Sequence, residues 1–272
     1  MKRSLSNMVV IITGASAGIG HALAVELAQR GAKLALAARR ADRLEELNRE
    51  LGGRHLRIVA DVSLTPDCNR IVEETIQRFR RIDTLVCNAG YGFHTPVVQT
   101  TDEQMLAVFQ TNVIGTLACV RAAVPYMLKQ DILDGCRGQI MIVSSAVARR
   151  SLPYFGAYSA TKAAQLSLAE AMRVEISPQL ISVTTVHPGG TETEFGDVSA
   201  SLSGGNRPAR ISGEIQQTAQ QVAKAMVRAI ERPRPEVWPI GLYRWATGLG
   251  TLMPGIVDRL MSKRREKIAG ET

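Results

Sequence analysis

Aromatic residues are scarce in this sequence, which has 272 residues, 4% of them aromatic and 45% hydrophobic. The apolar content comes mainly from Ala, Val, Leu and Ile, which is typical of helices packed on a buried parallel sheet. No low-complexity stretch separates one part of the chain from another, and a chain of this length can bury one large core. We therefore expect an α/β fold with a single domain.

Cysteine and histidine are also few, with four residues of each. The cysteines include no C-x-x-C pair and the histidines show no metal-ligand spacing, so neither a disulfide framework nor a zinc site is supported. The four cysteines are Cys68, Cys87, Cys119 and Cys136. We predict no metal and expect a reducing, cytoplasmic location.

Long apolar runs are lacking as well. The run near the N-terminus ends at Thr13 after five residues, which is shorter than the core of a signal peptide, so we expect no export. The longest apolar stretch, residues 240–257, contains Arg244, several glycines and Pro254 and matches a membrane-spanning helix poorly. The net charge of +8 is spread along the chain without interleaved aromatic residues, so nucleic acid is not a predicted partner.

Short apolar runs alternate with helix-like patterns along the chain. The runs cover residues 8–13, 33–38, 56–60, 82–87, 139–144 and 181–187. This alternation predicts a doubly wound parallel sheet of the Rossmann type with helices on both faces. A helical stripe over 213–231 and a final strand within 232–240 would complete it. Residues 196–213 are rich in Gly and Ser and predict a long mobile loop, part of a lid over about 192–213.

The stretch TGASAGIG, residues 13–20, joins the first predicted strand to the first helix. Its glycines fit neither the G-x-G-x-x-G fingerprint nor the GxxxxGK[ST] loop. A helix N-terminus offers unpaired N–H groups and the positive end of the helix dipole, so a glycine turn there suits a pyrophosphate. We therefore predict that this loop binds the diphosphate of a dinucleotide.

The end of the second strand indicates which dinucleotide is bound. In such sites an acid at this point holds the adenosine ribose, whereas an arginine accommodates a 2′-phosphate. Here the strand ends in Arg39 and Arg40, and the nearest acid, Asp42, is three residues before Glu45, the pattern of a helix N-cap with its reciprocal partner. We assign Asp42 to capping and favour NADP(H) over NAD(H), since forked guanidinium groups suit phosphate. The alternative is that both arginines are solvated loop charges.

Several stretches in one order carry a resemblance. They are TGASAGIG (13–20), ADV (60–62), CNAG (87–90), TNVIG (111–115), IVSS (142–145), YSATK (158–162) and HPGGTET (187–193). Together they resemble the short-chain dehydrogenase/reductase family, whose own phosphate turn has the spacing T-G-x-x-x-G-x-G. The chain departs from the family pattern at Cys87, usually Asn, and at Ala17, often basic in NADP-preferring members.

The resemblance implies a nicotinamide dinucleotide that spans the ends of the strands. Asp61 and Val62 are expected at the adenine, and residues 188–193 near the nicotinamide. The full set of implied cofactor residues is Gly14, Ser16, Gly18, Ile19, Gly20, Arg39, Arg40, Asp61, Val62, Asn88, Ala89, Gly90, Tyr158, Lys162, Pro188, Gly189, Thr191 and Thr193. Residues 1–235 would then form the dinucleotide-binding and catalytic domain, and residues 236–272 a C-terminal extension.

Tyr158 and Lys162 are four residues apart and share one face if helical. A free tyrosine has a pKa near 10, and a neighbouring ammonium is expected to lower it, so that Tyr158 can act as general acid or base. The family spacing selects Ser145 as the hydroxyl that binds the substrate oxygen, while Ser144 on the opposite strand face is expected to be bonded locally. The resemblance adds Asn112, which would hold a water near Lys162. The predicted catalytic set is therefore Asn112, Ser145, Tyr158 and Lys162.

These residues predict hydride transfer between NADP(H) and a carbonyl or alcohol. Candidate substrate residues are Ser145, Val147, Phe93 and Phe195, mostly apolar, which suits a lipid-like, steroid-like or acyl substrate. The alternatives are a 3-oxoacyl-carrier-protein reductase, or a non-catalytic NADPH-binding regulator on the same fold. A nucleotide-sugar epimerase or dehydratase usually needs a longer C-terminal substrate domain.

The resemblance also implies a homodimer or homotetramer, formed through helices over about 103–129 and 158–177. The C-terminal tail mixes apolar residues with a basic end. Three roles remain open for it: a cap over the substrate pocket, an extension of the oligomer interface, or peripheral contact with an anionic membrane surface.

Overall fold

The computed structural model describes residues 2–203 and 216–263. The strands are β1 (Val9–Thr13), β2 (Lys33–Ala38), β3 (Leu56–Val59), β4 (Thr84–Cys87), β5 (Gly138–Val143), β6 (Ile181–Val186), β7 (Thr191–Glu192), β8 (Gln217–Thr218) and β9 (Glu236–Val237). The helices are α1 (Gly18–Ala28), α2 (Ala41–Glu50), α3 (Thr65–Phe79), α4 (Asp102–Phe109), α5 (Gly115–Lys129), α6 (Gly156–Glu175), α7 (Phe195–Leu202), α8 (Ala219–Glu231), α9 (Gly241–Leu252) and α10 (Pro254–Ser262). A π-helical turn, Gln110–Ile114, connects α4 to α5.

One parallel sheet has the strand order β3-β2-β1-β4-β5-β6-β9. The predicted strands are confirmed, with ends that differ by one or two residues, and the final strand is β9 within the predicted range 232–240. The short strands β7 and β8 pair separately. The doubly wound α/β fold with helices on both faces is therefore confirmed.

Alternate residues of each strand face opposite helix layers. On β1, Val10 and Ile12 join a core with α1, α2 and α8, whereas Ile11 joins a core with α3, α5 and α6. Side chains of a strand alternate between the two faces of a sheet, and this central strand is apolar at every position because both faces are covered. The two cores fix the sheet between its helix layers.

The helical region Asp102–Lys129 is long and apolar enough to cross a membrane by length and composition, the one such region among residues 2–203 and 216–263. Half of its most apolar window is buried. Its residues Ala118 and Ala123 pack in the core beneath the sheet together with α3. The packing is that of a core helix.

The strand order reverses between β1 and β4, which lie side by side. Open α/β sheets bind ligands in the crevice outside the carboxyl ends of the strands at such a point. Gly14 follows β1 and Asn88 follows β4, so both lie at this crevice.

Two local predictions are wrong. Helix α2 begins at Ala41 with Arg40 as its N-cap and without a side-chain capping bond, so Asp42 lies in the first turn and does not cap the helix. An acid in that turn is favourable through the helix dipole, which produces the same sequence pattern as a cap.

The predicted mobile loop over 196–213 begins instead as helix α7, because Ser199 and Ala200 are buried there and tertiary packing overrides the weak helix propensity. Residues 204–213 of that loop, and the start of the predicted helical stripe at 213–215, lie outside the described residues.

Candidate active site

The glycine turn after β1 is shaped by close backbone approaches. Gly14 and Gly18 have φ values of +65° and +56°, a region that favours glycine. A Cβ at Gly20 would lie 2.4 Å from the Gly14 carbonyl oxygen, and one at Gly14 would lie 2.8 Å from the Ala89 Cα. The turn therefore packs its backbone closely against itself and against Ala89 at the N-terminus of α1, where only glycine is accommodated. The N–H groups at the start of α1 suit a diphosphate, and binding of one at this turn stays a prediction.

Asn88 fastens this turn to the end of β4. Its Nδ2 donates to the carbonyl oxygens of Thr13 (3.0 Å) and Gly14 (3.1 Å). The Thr13 hydroxyl in turn accepts from the main-chain N–H groups of Asn88 (3.0 Å) and Ala89 (3.1 Å). Asn88 and Ala89 are thus held beside the predicted cofactor path. Ile19 packs against the α1 core and contributes its main chain to the start of the helix.

The two arginines after β2 have different surroundings. Arg40 donates to Ser16 Oγ in the glycine turn (3.2 Å) and to Glu194 Oε2 (2.9 Å). Arg39 is more exposed, and its nearest carboxylate oxygen, on Asp61, is 3.9 Å away. The structure therefore brings Arg40 to the glycine turn, whereas Arg39 reaches toward the end of β3.

The predicted adenine residues lie after β3. Asp61 Oδ1 accepts from Ser63 N (2.9 Å), and Val62 is buried. A Cβ at Gly115 would lie 2.5 Å from the Val62 carbonyl oxygen, so this loop rests against the start of α5. Both residues are at the same edge of the sheet as the glycine turn.

Ser145, Tyr158 and Lys162 meet beyond β5. The Ser145 hydroxyl donates to the Pro188 carbonyl oxygen (3.4 Å) and accepts from Val147 N (3.3 Å). Lys162 Nζ lies 5.5 Å from the centroid of the Tyr158 ring. The neighbouring Ser144 donates to the Lys162 carbonyl oxygen (2.9 Å), which is the local bond expected for it.

The expected lowering of the tyrosine pKa is not found. Burial raises the pKa of Tyr158 to about 12, and the effect of the nearby Ser145 side chain, which lowers this pKa, opposes the rise only in part. Burial also lowers the pKa of the Lys162 ammonium to about 7. Lys162 donates to the Val143 carbonyl oxygen (2.8 Å) and to Gln165 Oε1 (2.9 Å) and makes no bond to the tyrosine hydroxyl. Both hydrogen bonds of the ammonium therefore go to groups other than the phenol, although Nζ lies over the tyrosine ring.

Asn112 lies in the π-helical turn and is fully bonded. Its side chain accepts from Tyr91 N (3.0 Å) and donates to Tyr91 O and Thr161 Oγ1 (both 2.9 Å). Its carbonyl oxygen accepts from Thr116 Oγ1 (2.7 Å) and Gln165 Nε2 (2.6 Å). The Gln165 side chain therefore links the Asn112 main chain to the Lys162 side chain. A Cβ at Gly90 would lie 2.9 Å from Asn112 Oδ1, so this glycine closes the loop over the turn.

The loop after β6 returns to the glycine turn. A Cβ at Gly18 would lie 3.1 Å from Thr193 Cγ2, and one at Gly189 would lie 2.2 Å from Tyr243 Cε2 on α9. The Thr191 hydroxyl donates to the Gly189 carbonyl oxygen (3.0 Å). Residues 188–193 therefore link Ser145, the glycine turn and helix α9.

The candidate substrate residues separate into two groups. Val147 is half-buried beside Ser145, and the centroid of the Phe195 ring lies 5.2 Å from that of the Tyr158 ring, so both lie next to a predicted catalytic residue. Phe93 is 3% exposed and packs with Val108 and Ala157. Its assignment as a substrate wall is therefore wrong, because a satellite core buries it.

His187 is a site residue that sequence reasoning missed. It is fully buried behind Ser145, with Nδ1 3.1 Å from the Ser145 carbonyl oxygen and Nε2 3.0 Å from Thr185 Oγ1. Its ring stacks on Trp238 at 4.3 Å. Burial lowers the pKa of His187, so the neutral ring is favoured. The histidine in HPGG was the available signal, but its contact with Trp238, far away in the sequence, was not visible.

Comparisons with known proteins identify relatives of this chain. The family model described as short chain dehydrogenase matches residues 8–201. The 11-beta-hydroxysteroid dehydrogenase 1A of Arabidopsis thaliana is 44% identical over 197 residues, 71% of this chain and 54% of the relative. The 11-beta-hydroxysteroid dehydrogenase-like 2 of the same plant is 34% identical over 264 residues, 95% of this chain and 82% of the relative. The matched part thus spans about half the length of the first relative.

Solved structures show the same fold. A short chain dehydrogenase/reductase from Burkholderia phymatum in complex with NAD has a TM-score of 0.80 and 24% identity, covering 90% of this chain and 93% of its own. An alcohol dehydrogenase from Thermococcus sibiricus complexed with 5-hydroxy-NADP has a TM-score of 0.71 and 29% identity, covering 85% and 95%. Neighbours of this fold therefore bind either nicotinamide dinucleotide. The glycine turn, the sheet topology and the family match together show that this chain belongs to the short-chain dehydrogenase/reductase family.

Proposed function

We propose that this chain is an NADP(H)-dependent oxidoreductase that interconverts a carbonyl and an alcohol on an apolar substrate. The observation that supports this most directly is the convergence of Ser145, Tyr158 and Lys162 at the carboxyl end of β5, beside a glycine turn that fits a diphosphate. A nicotinamide cofactor, when bound, supplies or accepts the hydride.

The side chains divide the remaining work. Ser145 donates a hydrogen bond to the substrate oxygen, which stabilises the negative charge that develops there. Tyr158 transfers its hydroxyl proton to that oxygen in the reductive direction and takes it back in the oxidative direction. Lys162 would hold the nicotinamide ribose of a bound cofactor, and its ammonium, 5.5 Å from the centroid of the Tyr158 ring, would favour the phenolate that Tyr158 becomes.

The preference for NADP(H) is supported by Arg40. Its guanidinium bonds to Ser16 in the turn, so it can also reach a phosphate on the adenosine ribose. Arg39 contributes a second, more exposed charge near Asp61. No acid of the described residues stands in the place of a ribose-binding carboxylate at the end of β2, where the chain continues with these two arginines.

Turnover of a carbonyl panel tests this proposal. Purified protein is mixed with NADPH or NADH and with steroid ketones, medium-chain aldehydes and a 3-oxoacyl group on acyl carrier protein, and cofactor absorbance at 340 nm is followed. We expect NADPH oxidation with an apolar ketone or aldehyde. NADPH binding without turnover on any member would favour the non-catalytic regulator, and a strong preference for the carrier-bound substrate would favour the 3-oxoacyl reductase.

We further propose that the protein is a homo-oligomer in solution, as the family resemblance implies. Leu106 on α4, Leu128 on α5 and Val174 on α6 are exposed apolar side chains on the helices expected to form the interface. Light scattering coupled to gel filtration measures the mass directly. A mass of a single 29.5 kDa chain would contradict this proposal.

The partner proposed for the C-terminal helices is an anionic membrane surface. On α9, Leu242, Trp245, Leu249 and Leu252 recur at helical spacing and are all exposed, so the apolar stripe of this helix faces outward. Met253, Ile256 and Leu260 continue this surface onto α10. Contiguous exposed apolar surface of this kind is uncommon on soluble proteins outside binding sites.

The charge around these two helices favours lipid over a second protein copy. Between residues 238 and 263 the sequence has Arg244, Arg259 and Lys263 against the single acid Asp258, and Asp258 is paired with Arg150. Basic residues that border an apolar helix face are typical of helices that lie in the interface of anionic membranes. Tyr243 of α9 touches Gly189, so such contact would place the catalytic crevice near an apolar phase.

Vesicle sedimentation tests the membrane proposal. Wild-type protein is expected to pellet with phosphatidylserine-containing vesicles, and the double variant Trp245→Ser and Leu249→Ser to remain in solution. Val98→Ser, which changes an apolar side chain that is 94% exposed elsewhere, is the matched control and should pellet like wild type. Equal pelleting of the double variant, or a change only in its oligomeric mass, would contradict this proposal.

A further inference from the structure

A buried amide lies between two of the predicted catalytic residues. Gln165 is 1% exposed and follows Lys162 by one turn of α6. Its Oε1 accepts from Lys162 Nζ (2.9 Å), and its Nε2 donates to the main-chain carbonyl of Asn112 (2.6 Å) and to Thr116 Oγ1 (2.9 Å). Three elements, α6, the π-helical turn and α5, are therefore joined through one side chain.

The geometry fixes the orientation of that amide. Nε2 has two acceptors and Oε1 has one donor, so reversing the two ends would set the amide oxygen against the Asn112 carbonyl and the amide nitrogen against the lysine. The two acceptors of Nε2, Asn112 O and Thr116 Oγ1, thus determine that the amide oxygen of Gln165 faces Lys162. Buried networks in which every member is satisfied hold a single arrangement.

We propose that Gln165 is a positioning residue, which holds the Lys162 side chain through its carbonyl oxygen and ties it to the Asn112 main chain through its amide nitrogen. This inference rests on the proposed function insofar as Lys162 acts in it. The inference goes beyond the proposed function because it gives a role to Gln165, a residue outside the predicted catalytic set.

The bond to Gln165 favours the charged form of the lysine. The groups that face Nζ are neutral: the Val143 carbonyl from β5, the Gln165 amide from α6, Gly90 from the loop after β4, and, as the nearby titratable group, Tyr158. Burial lowers the pKa of Lys162, and no opposite charge compensates. The two carbonyl oxygens are therefore the groups that retain the ammonium, and removing one should lower that pKa further.

Two variants change this contact in opposite directions. Gln165→Leu keeps the volume and removes the acceptor, so we expect the pKa of Lys162 to fall by about one unit or more. Gln165→Glu keeps the shape and places a carboxylate at the ammonium, so we expect that pKa to rise by about one unit or more. If the leucine variant does not fold, Gln165→Met serves in its place.

The pKa is measured by NMR on protein carrying ¹³C-labelled lysine, with the Lys162 signal assigned by its loss in Lys162→Arg. This readout needs neither substrate nor turnover, so it stands even if the proposed reaction fails. Gln139→Leu is the matched control, since Gln139 is also a fully buried, hydrogen-bonded glutamine but contacts Arg3 and Thr184 at the other end of the sheet. It should lower stability and leave the Lys162 pKa unchanged. The same Lys162 pKa in wild type and in both Gln165 variants would overturn the proposal.

The pH dependence of kcat/KM for NADPH connects this contact to catalysis. Because kcat/KM reports groups of the free enzyme, its alkaline limb should follow Lys162, moving to lower pH in Gln165→Leu and to higher pH in Gln165→Glu. A residue that only fills space would lower the rate equally at every pH. If the alkaline limb of the kcat/KM profile lies at the same pH in both variants as in wild type, the positioning role is overturned.

Discussion

Glu194 Oε2 accepts a 2.9 Å hydrogen bond from Arg40, the arginine that also bonds to Ser16 in the glycine turn. Arg43 approaches the other oxygen of the same carboxylate at 4.0 Å. Glu194 directly precedes α7 in the predicted lid region. Its carboxylate therefore pairs with the Arg40 guanidinium, the group predicted to recognise a 2′-phosphate. A phosphate and this carboxylate would compete for one side chain.

Glu194→Gln should therefore strengthen NADPH binding. The pair is about half exposed, so its removal is worth less than about 1 kcal/mol, which corresponds to at most about a fivefold decrease in Kd. The Kd for NADH should stay unchanged. Titration of NADPH fluorescence measures both, with Glu192→Gln as the control on an exposed acid two residues away. An NADPH Kd that rises or does not change would mean that Glu194 does not compete.

Arg40 should determine cofactor choice more than Arg39 does. Arg40→Ala removes a charge-assisted phosphate contact worth about 1.5–3 kcal/mol, so the Kd for NADPH should rise about 10- to 100-fold with little change for NADH. Arg39→Ala is the comparison and should have the smaller effect, because its side chain is 75% exposed. An equal loss of affinity for both cofactors would indicate a damaged turn and contradict the assignment.

The phenol of Tyr158 should titrate late in the protein without cofactor. Burial raises its pKa to about 12, and the Lys162 charge is bonded elsewhere. The difference in phenolate absorbance between wild type and Tyr158→Phe, followed across alkaline pH, isolates this one group. We expect its midpoint above 10 in the free protein and lower when NADP⁺ is bound, since catalysis requires a lower value. A midpoint below 10 without cofactor would contradict the structure.

His187 should support both stability and rate. His187→Ala removes a fully buried ring and its contacts with Ser145 and Trp238, so the free energy of unfolding should fall by about 2–4 kcal/mol. His187→Phe keeps an aromatic ring on Trp238 and loses the hydrogen bonds. If His187 positions Ser145, kcat should fall about tenfold in both variants, since a displaced donor stabilises the oxyanion less. Unchanged kcat in His187→Phe would limit the residue to packing.

The same histidine predicts a pH dependence of stability. Its pKa is lowered in the folded protein by burial, so the unfolded chain binds a proton more readily. This effect should be absent above about 6.5, the value of the unfolded group, and stability should fall below that pH until the lowered pKa of the folded group is reached. Thermal unfolding between pH 5 and 8 should show this loss in wild type and a smaller one in His187→Phe.

The strands of the sheet could be predicted from the sequence because a strand buried on both faces is a continuous run of apolar residues. Val10, Ile11 and Ile12 face two cores, and their continuous apolar run indicates a central parallel strand. The glycine turn was equally readable, since close approaches such as that of Gly20 to Gly14 admit no side chain. Local signals of this kind do not depend on distant contacts.

The predictions that failed, and the residues that were missed, depend on contacts between distant parts of the chain. Asp42 has a capping pattern, but the helix starts earlier, at Ala41. Phe93 is an apolar residue near the site, and only the fold shows that Val108 and Ala157 cover it. Gln165 is one turn after Lys162 in the sequence, yet its link to Asn112 arises from the packing of α6 on the π-helical turn. The hydrogen-bond partner of a polar residue in a helix cannot be predicted from the spacing of residues in the sequence.

Steady-state reduction of an apolar ketone by wild type and by Tyr158→Phe, with NADPH binding measured on the same samples, tests the central claim most directly. If Tyr158 delivers the proton, the phenylalanine variant should lose at least about a thousandfold in kcat, within the range of general acid catalysis, and bind NADPH as wild type does. Turnover by the variant within a few-fold of wild type would contradict the account.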